Sequence, residues 1–420
     1  MMEQSLGEKY SLFVNILIFI FPIVFISFQV LGDLVLFILA MIGIFISISR
    51  RLSPFNIKEI KVFSYLTLGY FTAVCSSVIY SGQAAELAHY IPRDLHFLFA
   101  PFIALALYKA EINRDYLIVG AKISLLILGG IIIFYFPNRF YSISGFDYGS
   151  GRNTGFMNAG VFGNLSVMLF FIVLSFSQHE PLKHKVFSFI ALLFGFLAIL
   201  GSGTRGAWLS FLFLLGIYLY FVFKQQKKLF NRSKIFIVLI IVGFISVVSI
   251  NQSINDRVSL AYVQVTNFLA GDEAPTSVGI RLGMYTKAIE NIEDVPFFSG
   301  HGYRTSNITL FFNDSSRMGK IGVGFNHLHN AYLTNYYNGG ILLLGALLLV
   351  LFVPLILFLK ANSLNRANPV FIAGALLTVG YASFGMVNIL LGDTYMNGFY
   401  VFFLAFFLLL TNKSFKASEF

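Results

Sequence analysis

The sequence predicts an all-α integral membrane protein with about twelve transmembrane helices. Its composition is the first reason: 57% of the 420 residues are hydrophobic and 11% are charged, with a mean hydropathy of +0.79. Soluble domains carry about a quarter charged residues, so this composition excludes an ordinary soluble protein. The second reason is that apolar runs recur along the whole chain, each close to the roughly 20 residues that cross a bilayer. Since lipid offers no partners to exposed backbone groups, each run is predicted to be a helix.

Twelve apolar runs are the predicted spans. The first run lacks a convincing small-residue cleavage site and is followed at once by the second, so it is interpreted as a membrane helix and not as a signal peptide. No internal repeat or Pro-rich linker divides the chain, and residues 1–420 are therefore predicted to form a single polytopic membrane domain. The spans cover residues 12–30, 34–49, 62–80, 95–109, 115–136, 156–177, 185–201, 206–223, 234–250, 333–359, 369–391 and 396–411.

The basic residues predict the orientation of these spans. One set of alternate connections and tails, all of them short, holds 18 of the 29 Lys and Arg residues. Short basic connections stay on the cytoplasmic side, so both termini are predicted to be cytoplasmic. The protein has a net charge of +10, but this distribution of the basic residues argues against binding of nucleic acid. The single cysteine, Cys75, lies inside an apolar run, which excludes a disulfide framework and a cysteine-based metal site.

The longest connection, residues 251–332, falls on the non-cytoplasmic side between spans nine and ten. It is large enough to fold over a site, and we interpret it as a lid loop. Two amphipathic helices are predicted within it. The second runs from about Ser277 to Ile292, and the first places apolar residues at helical spacing, namely Val258, Tyr262, Val265 and Leu269.

Arg205, in GSGTRGAWLS between spans seven and eight, is a candidate anion-binding residue. The topology rule does not explain an arginine on the non-cytoplasmic side, and a charge within the bilayer costs up to about 3 kcal/mol at its centre. Gly203 and Gly206 would let a bulky anion approach the backbone, and a guanidinium makes bidentate contacts to phosphate. The alternative interpretation is an arginine that reaches the lipid headgroups or pairs with a carboxylate.

Three further arginines on this side are candidates for phosphate binding. Arg281 is predicted to lie on the first turns of the loop helix that follows Ser277, where free N–H groups favour an anion. The alternative is a solvated arginine paired with Glu290 or Asp294. Arg152, in GSGRNTGFMNAG, and Arg304 are loop arginines that could contact phosphate in the same way.

The segment GFNHLHNAYLTNYYNGG leads into span ten and holds the candidate general base. With Asn326 as the N-cap, His327 and His329 are predicted to lie in the first turn and to point in roughly opposite directions. A helix N-terminus disfavours the imidazolium ion and so keeps the ring neutral, as a general base requires. At helical spacing from His329, the residues Tyr332, Tyr336 and Gly340 are predicted to line a cavity with it.

Two alternatives exist for these histidines: a structural histidine bonded to a loop carbonyl, or a metal site with His301. Zinc prefers three or four convergent ligands, and the carboxylates nearby show no matching spacing. The absence of an Asp-x-Asp pair on this side also weakens a Mg²⁺-dependent mechanism. We predict neither a metal nor another cofactor.

Three segments carry a resemblance to a known family: GSGTRGAW, SVGIRLGMYTKAIENI followed by VPFFSGHGYRT, and NHLHNAYLTNYYNGGILLLG. In this order, with twelve spans and one large loop, the chain resembles the O-antigen ligases of Gram-negative bacteria, within the O-antigen ligase and polymerase superfamily. The resemblance implies a GT-C-type glycosyltransferase in the bacterial inner membrane with its active site on the periplasmic face. Such an enzyme moves a polysaccharide from undecaprenyl pyrophosphate to a sugar hydroxyl of the lipid A-core, without ATP or metal.

The resemblance also assigns roles to residues. Arg205, Arg281 and His329 match the catalytic residues of the ligases. Arg152, with looser flanking similarity, and Arg304, His327 and Asn330 are assigned to binding of the pyrophosphate. The arginines would stabilise the charge that develops on the pyrophosphate, and His329 would take the proton of the acceptor hydroxyl, with inversion at the anomeric carbon.

The sequence leaves rival functions open. An O-antigen polymerase would use the same donor with another lipid-linked repeat as acceptor, and a protein O-oligosaccharyltransferase usually carries a larger C-terminal periplasmic portion. A transporter of lipid-linked sugars is typically marked by ionisable residues at mid-membrane. Here the clearest one is Lys122, which lies close enough to the cytoplasmic end of span five to reach the interface.

Overall fold

The computed structural model describes residues 2–80, 82, 87–135, 157–225, 252–271, 276–303, 308–314, 319–325, 327–364 and 368–418. Within them the chain forms a bundle of long apolar helices. Ten helical segments are long and apolar enough to cross a membrane, and Pro369–Gly385 is a shorter apolar helix. The helices of the bundle are α1 Met2–Ser27, α2 Gln29–Ser49, α3 Lys58–Tyr80, the short α4 Leu87–Tyr90, α5 Leu95–Lys109, α6 Arg114–Tyr135, α7 Ala159–Ser177, α8 Leu182–Gly201 and α9 Arg205–Gln225, followed after the loop segment by α12 Ala331–Leu364, α13 Pro369–Gly385 and α14 Thr394–Ser418.

This architecture confirms the prediction of an all-α integral membrane protein. Eleven of the twelve predicted spans coincide with helices of the bundle, and the ninth, residues 234–250, lies outside the described residues. One difference is at the end of α13, which stops at Gly385 although the predicted span runs to residue 391. Residues 386–393 instead form a connection before α14. The GT-C relationship stays a prediction.

Two helices, α7 and α14, lie at the centre of the bundle. Every residue of α7 from Val161 to Phe176 is buried, whereas α2 exposes large apolar side chains such as Phe45 and Ile48. Small residues let α7 and α9 approach closely: a Cβ at Gly163 would lie 2.8 Å from the Ala207 side chain. Close packing through small residues is how helices associate in lipid, where no hydrophobic gain is available.

The segment between α9 and α12 contains two helices and a hairpin. The helices are α10 Gln252–Leu269 and α11 Ser277–Glu290, which confirms both predicted amphipathic helices. The strands β1 Ile308–Asp314 and β2 Gly319–Phe325 pair antiparallel, with Ile308 opposite Phe325 and Asp314 opposite Gly319. The hairpin was not predicted, since the glycines of GKIGVGF leave little alternating pattern to recognise. The role of this segment as a lid stays a prediction.

The helix α12 is interrupted at two glycines by the end of the loop segment. Gly339 (φ −143°, ψ 19°) and Gly340 (φ 59°, ψ −153°) leave the helical conformation, and a Cβ at Gly340 would lie 2.4 Å from the Phe297 carbonyl oxygen. Backbone N–H groups of the loop satisfy carbonyls at the break, since His301 N donates to Tyr337 O at 2.7 Å. The prediction that His329 and Gly340 lie on one helical face is therefore wrong, because α12 begins after His329 and is not helical at Gly340.

Candidate active site

The two histidines of the H-x-H-N segment lie before α12 and not in its first turn. Asn330 is the N-cap, because its Oδ1 atom accepts hydrogen bonds of 3.0 Å from the N–H groups of Tyr332 and Leu333. The prediction that Asn326 caps the helix is thus wrong. The cap formed by Asn330 lies four residues later, after the backbone has turned. Asn330 also donates from Nδ2 to Met386 O at 3.4 Å.

The turn before α12 brings the two imidazoles together. His329 has a φ of 48°, in the left-handed region that non-glycine residues rarely occupy. The ring centroids of His327 and His329 are 4.2 Å apart, with an angle of 81° between the planes. The backbone N–H of His329 donates to Nδ1 of His327 at 3.4 Å, which leaves Nε2 of His327 as the protonated nitrogen.

Both imidazoles are neutral at neutral pH. Burial, the neighbouring His327 and the positive charge of Arg281 together lower the pKa of His329 to about 4, while a hydrogen bond with Asn388 acts in the opposite direction. Burial, followed by Arg281, also lowers the pKa of His327. The Nδ1 atom of His329 is buried and makes no hydrogen bond of normal geometry to the described part of the chain. Neutrality thus arises from burial and a nearby cation rather than from the end of a helix.

Arg281 reaches the histidines because α11 docks against them. Thr276 caps this helix by accepting a hydrogen bond from Gly279 N at 3.0 Å, which places Arg281 in the second turn. One turn later, the Tyr285 hydroxyl donates to the carbonyl oxygens of His329 at 3.0 Å and Met386 at 3.3 Å. A pairing of Arg281 with Glu290 is not seen among the described residues, where Glu290 lies 3.4 Å from Lys287.

The histidines open onto a polar cavity of about 440 Å³. Its wall is formed by the turn before α5, the start of α7, the turn before α12 and the connection before α14. The lining residues are Arg93, Asn158, Val161, His327, His329, Asn388, Ile389, Gly392, Asp393 and Thr394. A second cavity of about 130 Å³ adjoins it and shares His327, Ile389 and Gly392.

Arg93 is the basic residue of this cavity that sequence reasoning missed. It lies in the 3₁₀ turn Ile91–Asp94, where the next residue, Asp94, is completely buried. The Asp94 carboxylate accepts hydrogen bonds from the Tyr303 hydroxyl at 2.6 Å and from Asn397 Nδ2 at 3.0 Å. Asn397 also donates to the carbonyl oxygen of Arg93 at 2.8 Å, so the backbone at Arg93 is anchored from both sides.

A signal for Arg93 was present in the sequence, since it is an arginine on the predicted non-cytoplasmic side like the four that were singled out. No comparable signal marks Asn388 and Asp393. The pattern of hydrophobic residues continues to 391, so Asn388 was placed inside a span, but the helix ends at Gly385 and the connection carries both residues into the cavity wall.

Arg205 lies beside the cavity and is not part of its lining. It is the first residue of α9 and is half-buried. The preceding Thr204 donates from Oγ1 to Ala159 O at 2.9 Å, and a Cβ at Gly206 would lie 2.8 Å from a Val387 methyl carbon. The turn at Arg205 therefore packs between the start of α7 and the connection before α14. Arg152 and Arg304 lie outside the described residues, so their predicted phosphate contacts stay predictions.

Residues 190–349 match the family model described as "O-Antigen ligase". This range runs from α8 to the middle of α12 and includes Arg205, Arg281, His327 and His329. Over this range the chain is similar to the O-antigen ligase family. The chain is also 27% identical, over 343 residues, to a protein of Haemophilus influenzae that bears the name "Uncharacterized protein". That similarity covers 79% of this chain and 80% of the other.

The acidic and histidine residues of the protein do not converge as metal ligands within the described ranges. There, no group of three or more His, Cys, Asp or Glu side chains could hold a metal ion. His301, which was considered as a partner of His327 and His329, lies with its ring 5.9 Å from that of Tyr337. The lining of the described site therefore includes two neutral imidazoles, two side-chain amides, the Arg93 guanidinium and the Asp393 carboxyl group around one cavity.

Proposed function

We propose that this protein is a glycosyltransferase that moves an O-antigen polysaccharide from undecaprenyl pyrophosphate to a sugar hydroxyl of the lipid A-core. The observation that carries the proposal is that one cavity holds two neutral imidazoles and Arg93, with the charge of Arg281 close enough to lower the pKa values of both rings. We place this cavity on the periplasmic face of the inner membrane, as the distribution of basic residues predicts.

The arginines supply the binding site for the diphosphate. Arg93 lines the cavity, and Arg205 begins a helix packed beside the cavity wall. The positive charge of Arg281 is close enough to lower the pKa values of both histidines. Guanidinium groups form paired hydrogen bonds to phosphate oxygens, and these bonds strengthen as negative charge builds on the leaving diphosphate. Because the leaving group is already a stable anion, its departure needs charge stabilisation more than a proton.

His329 acts on the acceptor hydroxyl in this mechanism. Its neutral ring can accept the hydroxyl proton while the oxygen attacks the anomeric carbon, and a single displacement inverts that carbon. A pKa of about 4 describes the site without its donor. A bound diphosphate adds negative charge nearby, which favours the protonated ring and raises its pKa towards the range of a general base. His327 carries its proton on Nε2 and can donate a hydrogen bond to the bound diphosphate.

Hydrogen bonds from Tyr285 on α11 and from Asn330 hold the His329 turn against the connection before α14. Tyr285 joins the His329 turn to the connection before α14 through two carbonyl oxygens. Asn330 makes a second link to the same carbonyl of Met386. Since both substrates are anchored to lipid, holding them in one geometry would supply much of the rate enhancement.

Alanine substitution of the four residues tests this function. We expect Arg93→Ala, Arg205→Ala, Arg281→Ala and His329→Ala each to abolish transfer in cells while the protein remains at its normal abundance in the membrane. Lys287→Ala is the matched control, because Lys287 is exposed on the same helix as Arg281. Normal transfer by the four variants would overturn the assignment.

The banding of the surface polysaccharide distinguishes a ligase from a polymerase, which shares the superfamily and the donor. Loss of a ligase leaves undecaprenyl-linked polymer and bare core, whereas loss of a polymerase leaves core with one repeat. Transfer by the purified protein with both lipid substrates, in detergent and without an ion gradient, would exclude a transporter.

A further inference from the structure

The second cavity, of about 130 Å³, adjoins the active-site cavity and has no part in the mechanism described so far. Its volume has room for a group of several heavy atoms but not for a polysaccharide. The two cavities share His327, Ile389 and Gly392, so a molecule bound in one can extend into the other. The remaining lining residues of the second cavity are Tyr303, Thr334, Asn335, Asn338 and Leu391.

Three polar side chains from the first two turns of α12 line the second cavity. Thr334, Asn335 and Asn338 are 4%, 5% and 5% exposed, respectively. Their spacing of three and four residues to Asn338 places them on one face of the helix. Burial of polar groups costs free energy unless hydrogen bonds compensate it. Three such side chains beside one cavity therefore raise the question of what each of them bonds to.

The protein itself bonds to two of these side chains and leaves an acceptor on the third. Thr334 Oγ1 accepts a hydrogen bond from Leu328 N at 3.2 Å, and Asn335 Nδ2 donates to Ala331 O at 2.7 Å. The Oδ1 atom of Asn338 is buried and accepts no hydrogen bond from the described part of the chain. A group that enters the second cavity and donates a hydrogen bond would satisfy this oxygen.

Backbone contacts hold Asn338 in place independently of its side chain. Its carbonyl oxygen accepts hydrogen bonds from Ser77 Oγ at 2.5 Å and from Gly302 N at 3.0 Å. The next residue, Gly339, leaves the helical conformation. A substitution of the Asn338 side chain leaves both of these hydrogen bonds available, so the position can be tested without removing a contact that the fold uses.

The two cavities differ in charge. The active-site cavity contains Arg93 and Asp393, whereas the described lining of the second cavity consists of the neutral His327, uncharged amides and hydroxyls, and apolar side chains. A phosphate therefore fits the active-site cavity. An uncharged group that carries a hydrogen-bond donor together with C–H surface fits the second cavity, where Ile389 and Leu391 supply apolar contacts.

His327 connects the two spaces, because it borders both and can donate a hydrogen bond to the diphosphate. The group bonded directly to the diphosphate of the donor is the first sugar of the polysaccharide. We propose that the second cavity binds a hydroxyl or acylamino substituent of this sugar, which donates a hydrogen bond to Asn338 Oδ1. This inference rests on the function proposed above. The sugar ring stays in the active-site cavity, so the rest of the polysaccharide does not have to pass through the second cavity.

Asn338→Leu tests the inference in purified protein, because it removes the acceptor and keeps nearly the same side-chain size. The KM for the donor should rise about fivefold with kcat unchanged, since the lost hydrogen bond is the same in the ground state and the transition state. The KM for the lipid A-core acceptor should stay the same. The Tm should be equal to that of the wild type or higher, because no hydrogen bond of the described part of the chain is lost.

Asn362→Leu is the matched control. Asn362 lies on the same helix, its Oδ1 atom is also buried without a partner in the described part of the chain, and it lines neither cavity. Its substitution should leave both KM values unchanged. A rise in the donor KM of this variant equal to that of Asn338→Leu would refute a specific role for Asn338.

Donors whose first sugar lacks one hydroxyl or acylamino group each identify the substituent. With the wild type, one of these analogues should show a KM about fivefold above that of the parent donor. With Asn338→Leu, the same analogue and the parent should have equal KM values, because the partner of the missing group is also missing.

Three results would overturn the proposal: an unchanged donor KM in Asn338→Leu, a rise in the acceptor KM in its place, or a donor KM that rises only together with a lower Tm. Asn338→Ala removes the same acceptor with a smaller side chain and repeats the comparison if the leucine variant does not fold. Absence of transfer by the wild type with the parent donor would instead refute the proposed function.

Discussion

The protonation of His329 is the most direct physical consequence of the site's geometry, and a pH titration measures it. An ordinary histidine has a pKa of about 6.5, so about 3% of it is neutral at pH 5. With a pKa of about 4, roughly 90% of His329 is neutral at pH 5. The site therefore keeps about thirty times more neutral imidazole at this pH than an exposed histidine would.

The sign of the effect on folding follows from the lowered pKa. Between pH 6.5 and about 4 the unfolded chain protonates this histidine while the folded protein does not. Folding stability should consequently fall as the pH drops through this range. Above pH 6.5 the ring is neutral in both states, so it contributes no pH dependence there.

The assay is NMR of protein labelled with ¹³C and ¹⁵N at histidine. The His329 signal is assigned by its loss in His329→Gln and is followed from pH 8 to pH 4 in detergent. The denatured protein supplies the reference, since its histidines titrate near 6.5. For the folded protein we expect the titration midpoint of His329 close to pH 4.

Removal of one charge tests the cause of the shift. Arg281→Gln deletes a positive neighbour of the ring, so the midpoint should rise towards 6.5 while burial keeps it below that value. Lys287→Gln, on the exposed part of the same helix, should leave the midpoint unchanged. A midpoint near 6.5 in the wild type, or no rise in Arg281→Gln, would refute the arrangement of Arg281 and His329 described above.

Three further predictions concern stability and are checked by thermal unfolding in detergent. Gly340→Ala should destabilise the protein by about 3 kcal/mol or more, because the backbone conformation of Gly340 and the nearby Phe297 carbonyl both exclude a Cβ. Gly345 has open space around it, so the control Gly345→Ala should be neutral or slightly stabilising. Tyr303→Phe removes one hydrogen bond from a buried carboxylate and should cost about 1–3 kcal/mol. Lys122→Met leaves the Glu180 carboxylate, 2.7 Å away, without its partner and should cost about 3–5 kcal/mol; adding Glu180→Met should recover most of the loss, and no recovery would argue against the pair.

The sequence alone determined which segments cross the bilayer. A span is recognised from a local property, the length of an apolar run, and α5 begins and ends where the run does, at Leu95 and Lys109. The two loop helices were recognised for the same reason, since helical periodicity is also local. Where a helix meets other segments, however, the local pattern misled: α12 begins at Ala331, after the cap by Asn330, and breaks at Gly339 and Gly340.

The candidate residues divide in the same way. Residue type and topology identified Arg205, Arg281 and His329, because an arginine on the non-cytoplasmic side and a histidine pair before a span are visible in the sequence. They did not identify Arg93 or Asn388, which enter the cavity wall from a short 3₁₀ turn and from a connection that resembled a span.

Only the tertiary structure decided which of these side chains act on each other. Arg281 lowers the pKa values of His327 and His329 because Tyr285, on the same helix, bonds to the carbonyl oxygens of His329 and Met386. Those contacts join segments that lie far apart along the chain. Hydropathy depends on each segment by itself, whereas the charge and burial at a histidine depend on every segment packed around it.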